Sequence, residues 1–178
     1  MDLILYNKKG NKMIKKIMEE TINEQIAKEM YSSNLYLSMA AYFHTINLNG
    51  FANWMRLQAQ EEMAHALKFF DYLLDRGANV VLAQIDAPKR IWENPLNAFE
   101  ESLAHEISIT ESINNLADLS IQEKDHATHN MLQWFIQEQV EEEATVNEIC
   151  DRLKLAEGSP GGLFILDHEM KQRQNTPA

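Results

Sequence analysis

Four glutamates sit where a helix would bury them. Stepping by four and three gives Ile26, Glu29, Ser33, Tyr36 and Ala40, and then Met55, Gln58, Glu62, His65 and Phe69. The same steps give Phe99, Ser102, Glu106, Ile109 and Ile113, and then Phe135, Gln139, Glu142, Val146 and Ile149. Each set is the inward stripe of an amphipathic helix, with one glutamate near its middle. An ionised carboxylate in an apolar interior is costly unless it is paired or holds a metal. No lysine or arginine lies in the middle of these stripes. Two divalent cations would neutralise the four charges. His65 shares the Glu62 face at spacing i, i+3, one turn away. Glu-x-x-His on one helix, with glutamates from the others, is a donor set for two metals in a helix bundle. Carboxylate oxygen with a little imidazole suits iron or manganese, and lacks the thiolates of many zinc and copper sites. A lone Glu-x-x-His arises by chance on many helices. The specificity lies in the whole set, one glutamate per stripe with the pair in phase.

Such a set needs four long helices, and the punctuation of the chain predicts them. Good helix formers dominate residues 13–47, 50–76, 95–121 and 125–155, and a short fifth segment follows at 162–174. Gly50 reads as closing the first segment, and Gly77 as the C-cap of the second. Asn94-Pro95 reads as an N-cap followed by proline at the first helical position. Strand-like alternation is confined to residues 79–85. The connection 78–94 is long for a bundle. At ~3.3 Å per residue it reaches ~55 Å, further than the ~40 Å of a 27-residue helix. It can therefore cross the bundle, so that the second and third helices run parallel. The fold class expected is all-α, a four-helix bundle with one long crossover between helices 2 and 3 and a short C-terminal helix. Residues 1–12 read as a tail of no assigned function, and residues 13–178 as one domain.

Composition narrows the function. The 178 residues are 45% apolar and 24% charged, ordinary for a folded domain, with a net charge of −11. That balance gives no basic footprint for nucleic acid and no polybasic patch for a membrane. No stretch reaches the ~18 apolar residues of a membrane span. The single cysteine, Cys150, excludes a disulfide framework and fits a reducing, cytoplasmic compartment.

The segments Glu29-Met-Tyr-Ser-Ser-Asn-Leu-Tyr36, Ala59-Gln-Glu-Glu-Met-Ala-His65, Asn130-Met-Leu-Gln-Trp-Phe135 and Glu138-Gln-Val-Glu-Glu-Glu143 together carry a close resemblance. Over residues 13–175 the chain resembles the bacterial non-haem ferritins, within the ferritin-like di-iron bundles. The resemblance implies that Glu29, Glu62 and His65 hold a first iron, with Glu62 bridging. It implies that Glu106 and Glu142 hold a second, with Gln139 one turn before Glu142. It puts Tyr36 beside the pair, and Trp134 near that tyrosine. It further implies a third iron on Glu61, Glu138 and Glu141, with Glu142 shared. Glu138 and Glu142 repel at i, i+4, which favours a bound cation there. A haem-binding bacterioferritin would carry a second Glu-x-x-His, but Thr145 stands three residues after Glu142, so no haem is expected. A rubrerythrin would add a CxxC iron domain, and a mini-ferritin would lack the fifth helix. His105 adjoins Glu106 but points about 100° away on a helix, and His44, His126, His129 and His168 read as surface residues.

The function implied is iron storage. A two-iron ferroxidase centre oxidises ferrous iron with dioxygen, and ferric mineral collects inside a homo-oligomeric cage of 24 subunits. The apolar run Leu163-Phe164-Ile165-Leu166, with Met170, is expected to be buried between subunits, and Val80-Val81-Leu82 to pair across a two-fold axis. The alternative is a di-iron redox enzyme acting on peroxide or a small molecule without storing mineral.

Overall fold

The computed structural model describes residues 14–173, so the 1–12 tail lies outside the described residues. Five helices follow in order: α1 (Lys16–Thr45), α2 (Asn49–Asp75), α3 (Pro95–Gln122), α4 (His126–Leu155) and α5 (Pro160–Met170). No strand forms among the described residues, and residues 79–85 are irregular chain. Asn94 caps α3, its side chain accepting from the Asn97 N–H, with Pro95 in the first turn. Gly77 takes a left-handed φ of 72° just past α2, the conformation glycine adopts without a Cβ penalty.

Gly50 does not close α1. It lies in the first turn of α2, and its role is close approach. A Cβ there would stand 1.6 Å from the Asp167 carbonyl oxygen of α5. The Asp167 carboxylate accepts from the Gly50 and Phe51 N–H groups at 2.8 and 3.0 Å. An aspartate from α5 thus satisfies the free donors that open α2.

The core is two apolar clusters with a polar layer between them. One contains Tyr36, Phe43, Phe51, Phe99, Val146 and Leu166. The other contains Ile22, Ile26, Phe69, Ile113, Leu132 and Phe135. Passing from one to the other, every long helix crosses a gap: at Glu29 in α1, Glu62 and His65 in α2, Glu106 in α3, and Gln139 and Glu142 in α4. α2 and α3 run from the first cluster to the second, whereas α1 and α4 run the other way. α2 and α3 are therefore parallel, as the crossover length predicts. The crossover lies along α1. Asn23 meets its start, at the Asn79 carbonyl and the Val81 N–H, and Ser38 donates to the Lys89 carbonyl near its end. Arg76 after α2 forks onto Asp125, the N-cap of α4, through two 3.0 Å bonds, tying the far ends of those helices together.

α5 differs from its sequence reading in part. Leu166 and Met170 join the core of this same chain, while Phe164 and Ile165 stay exposed. An 11-residue helix places one face on α2 and turns the opposite face outward. Along the crossover, Val80 packs on the core and Val81 and Leu82 are exposed. No described helix is long and apolar enough to cross a membrane.

Candidate metal centre

The polar layer is largely buried, with Glu142 half-buried at its edge. Glu29, Glu62, His65, Glu106 and Gln139 are all buried. Aromatic rings wall it on both sides, with Trp134 and Phe135 edge-on to His65 and Trp54 edge-on to Tyr36. The tryptophan against Tyr36 is therefore Trp54 of α2, whereas Trp134 packs against the imidazole and carries the Lys68 ammonium over its face. A single inward stripe does not tell which of two tryptophans on different helices will meet a given tyrosine.

One donor from each of Glu29, Glu62 and His65 lies within 4.8 Å of the other two. His65 Nδ1 is 3.5 Å from Glu62 Oε2. Among the described residues, two buried side-chain polar atoms have no hydrogen-bond partner, Glu29 Oε2 and Glu62 Oε1. Leaving a buried polar atom unpaired costs about 1–3 kcal/mol, so two in one layer mark a place built for something else. The other Glu29 oxygen is held: Gln25 Nε2 donates to it at 2.8 Å. Ser112 in turn fixes the Gln25 carbonyl at 2.6 Å, and Lys28 fixes Ser112 at 2.6 Å.

The second pair of glutamates is provided for differently. Tyr36 donates to Glu106 Oε1, and Gln139 Nε2 donates to Glu106 Oε2 at 3.2 Å. Gln58 Nε2 donates to Glu142 Oε2 at 2.5 Å. Protein donors thus already hold these carboxylates.

Charge follows burial. Desolvation pushes the Glu29 carboxyl up to about 8, with Glu62 adding to the rise. Glu62 is raised well above the usual carboxylate range, by burial and then by the charges of Glu106 and Glu142. Burial also raises Glu106, against the hydrogen bonds from Tyr36 and Gln139, and lifts Glu142 to about 7. Tyr36 keeps its proton well above the ordinary tyrosine range. Without a cation the layer holds protons at neutral pH, and a bound cation must displace them.

The remaining predicted residues lie outside this group. Glu61 is half-buried and turned onto Arg173, Oε2 to Nη2 at 2.6 Å. Its charge still reaches Glu142. Glu138 is half-buried and Glu141 exposed, and the described residues show no cluster of ligand atoms uniting them with Glu61. His105 faces Ser32, with 2.8 Å between Nε2 and Oγ, and its ring lies between those of Tyr31 and Tyr36. Burial lowers its pKa to about 4, so the imidazole is neutral. His44, His126 and His168 are exposed, and His129 is half-buried. The sequence reading passes over Gln25 and Trp54 and gives no role to Gln58 or Arg173. Gln25 and Gln58 carried a signal, as polar residues one turn from a stripe glutamate on the same face. Arg173 carried none, because its contacts lie more than 110 positions away.

The profile of the ferritin-like domain matches residues 19–156. A bacterial non-heme ferritin of Bacteroides fragilis is 44% identical over 90% of this chain and 100% of its own length. One from Campylobacter jejuni is 38% identical over 89% of this chain and 95% of its own. Among solved structures, an open-pore ferritin of Archaeoglobus fulgidus is 47% identical with a TM-score of 0.90, covering 90% of this chain and 99% of that one.

Proposed function

The chain belongs to the ferritin family, and from that membership and its buried carboxylate layer we propose that it stores iron, oxidising ferrous ions with dioxygen at a two-iron centre within each subunit. The observation that carries the reading is the pair of unpartnered buried oxygens, Glu29 Oε2 and Glu62 Oε1, beside the His65 imidazole. A ferrous ion bound there gains carboxylate and imidazole ligands and removes two unpaired polar atoms. Glu62 would be the carboxylate shared with a second ion on Glu106 and Glu142, as the family resemblance implies, and the charges of those two glutamates act on it.

The two positions fill in order. The first ion meets two oxygens that no protein donor holds, and it displaces the protons that burial keeps on Glu29 and Glu62. The second must take its ligands from Tyr36, Gln139 and Gln58, so it binds later and more weakly. Each ion then gives one electron to dioxygen, which with two electrons and two protons leaves as hydrogen peroxide. Gln25 holds Glu29 in place, Tyr36 is within hydrogen-bond reach of Glu106, and the flanking aromatic rings exclude bulk water. Weak oxygen ligation at the second position suits iron that passes through rather than staying. The ferric product moves on to mineral inside a cage of 24 copies in the cytoplasm. A third iron site on Glu61, Glu138 and Glu141, sharing Glu142, lies beside the pair in this reading. Haem has no part in the scheme.

Anaerobic ferrous titration followed by oxygen, with sizing of the particle, tests the proposal. The expected result is a fast oxidation phase saturating at two irons per subunit (three where the outer position fills), then slower mineral growth in a large assembly. Glu62→Ala should abolish the fast phase. Wild-type rates in that variant, or a small particle that retains no iron, would overturn the reading.

A further inference from the structure

The segment that leaves α5 brings a cation back to the centre. Leu166 and Met170 anchor α5 in the core, Asp167 caps α2, and Asn53 Nδ2 lies 3.4 Å from the Arg173 carbonyl. From there the Arg173 guanidinium lies 4.6 Å over the Trp54 ring. It donates to Glu61 Oε2 at 2.6 Å and to Gln58 Oε1 at 2.9 Å, and it reaches the Trp54 carbonyl at 3.5 Å. The Arg173 and Glu61 side chains keep only 24% and 17% exposure. This is a seated, multiply bonded cation rather than a solvated surface pair.

We propose that Arg173 is a built-in competitor for iron at Glu61, holding the outer position closed until a metal ion displaces it. The inference rests on the third-iron reading proposed above. A divalent ion on Glu61 Oε2 would stand against the guanidinium at hydrogen-bond distance, and two cations cannot share that oxygen without strong repulsion. One must leave. Among the described residues, Glu61 joins no cluster of ligand atoms with Glu138 and Glu141, and its Oε2 is turned onto Arg173 instead.

The amide of Gln58 makes the exchange felt at the inner pair. Its carbonyl accepts from Arg173 while its NH2 donates to Glu142 Oε2 at 2.5 Å. Departure of Arg173 frees that carbonyl and lets the amide turn, loosening its hold on Glu142. That carboxylate becomes available to metal as the outer position fills. Binding outside and binding inside are then linked through one side chain, and the outer ion's apparent affinity is reduced by the fraction of chains in which Arg173 is seated.

Zinc titration of the full-length, metal-stripped assembly tests this without any redox step. Stoichiometry and affinity per subunit are measured for wild type, Arg173→Gln and Glu61→Gln. The inner two ions should bind all three proteins. The outer ion should bind Arg173→Gln roughly fivefold more tightly than wild type, the scale of one partly exposed ion pair, and should be lost in Glu61→Gln. Equal or weaker outer binding in Arg173→Gln, with Glu61→Gln still losing the ion, would overturn the competition and leave the third-iron reading standing. Absence of an outer ion from wild type and Arg173→Gln alike would overturn the third-iron reading, and this inference with it.

Discussion

Metal-free protein should lose stability as pH rises through neutrality, and Glu29 sets the scale. Its carboxyl moves from an ordinary 4.5 to about 8 in the folded chain. A raised carboxyl binds more protons in the native state than in the unfolded one. Its contribution is therefore complete below the unfolded value and is lost as pH climbs towards the folded one. His105 has the opposite sign. Lowered from 6.5 to about 4, it stabilises above 6.5 and loses that contribution only as pH falls. The clean window is thus 6.5 to 8. One extra native proton changes stability by ~1.4 kcal/mol per pH unit, or about 2 kcal/mol across the window. For a chain of this size that is roughly 4–8 °C in midpoint. Glu142, raised to about 7, adds to the slope at the lower edge. The assay is a calorimetric or circular-dichroism melt of chelator-stripped protein at fixed subunit concentration, with Glu29→Gln beside it. The variant keeps the shape and removes the titration, so its slope should be flatter. Saturating zinc should reverse the wild-type trend, since protons no longer compete with the ion at higher pH. A wild-type midpoint that is flat or rising from 6.5 to 8, or a slope equal to that of Glu29→Gln, would refute the reasoning.

Two further outcomes concern α5. Asp167→Ala removes the acceptor for the Gly50 and Phe51 N–H groups and should destabilise by about 1–2 kcal/mol, read as a lower melting midpoint; an unchanged midpoint would show the cap to be idle. Truncation after Gly158 removes Leu166 and Met170 from the core, worth roughly 3–6 kcal/mol at ~1.5–3 kcal/mol per buried side chain. The shortened chain should melt earlier yet still bind two inner zinc ions, because α1 to α4 supply every side chain of the polar layer; loss of the inner ions in a folded, truncated chain would show that the layer depends on α5.

The sequence was most legible where period and punctuation agree. Each stripe places its glutamate within the same turn-by-turn pattern as the apolar residues around it, so the inward face that carries Glu29, Glu62, Glu106 and Glu142 follows from helix geometry. Asn94-Pro95 and Gly77 mark ends because their backbone chemistry allows little else there. Gly50 misled for a related reason. A glycine after a helical run resembles a C-cap, and only the carbonyl of Asp167, more than 110 positions away, reveals the close approach that requires it. The same distance hides Arg173 from any local pattern. Trp134 and Trp54 show a third limit. Both lie beside the polar layer, but which one meets Tyr36 depends on the relative rotation of two helices, and stripe positions do not specify it.

If the chain stores iron as proposed, the split core bears on how one layer could both bind and release that cargo. Two apolar clusters close over the carboxylates from above and below, and burial raises Glu29, Glu62, Glu106 and Glu142 together. Each proton a cation must displace subtracts from its affinity, so the burial that strengthens every contact also moderates the net grip. The protein spends its hydrogen bonds unevenly across that layer. Glu29 and Glu62 each keep one oxygen bare, whereas Tyr36, Gln139 and Gln58 hold Glu106 and Glu142. An ion leaving the second position therefore returns its ligands to waiting donors, while an ion leaving the first strands two buried oxygens. On the proposed two-iron reading, that difference makes the second position the weaker of the two. Gln58 stands at it, carrying Arg173 on its other side.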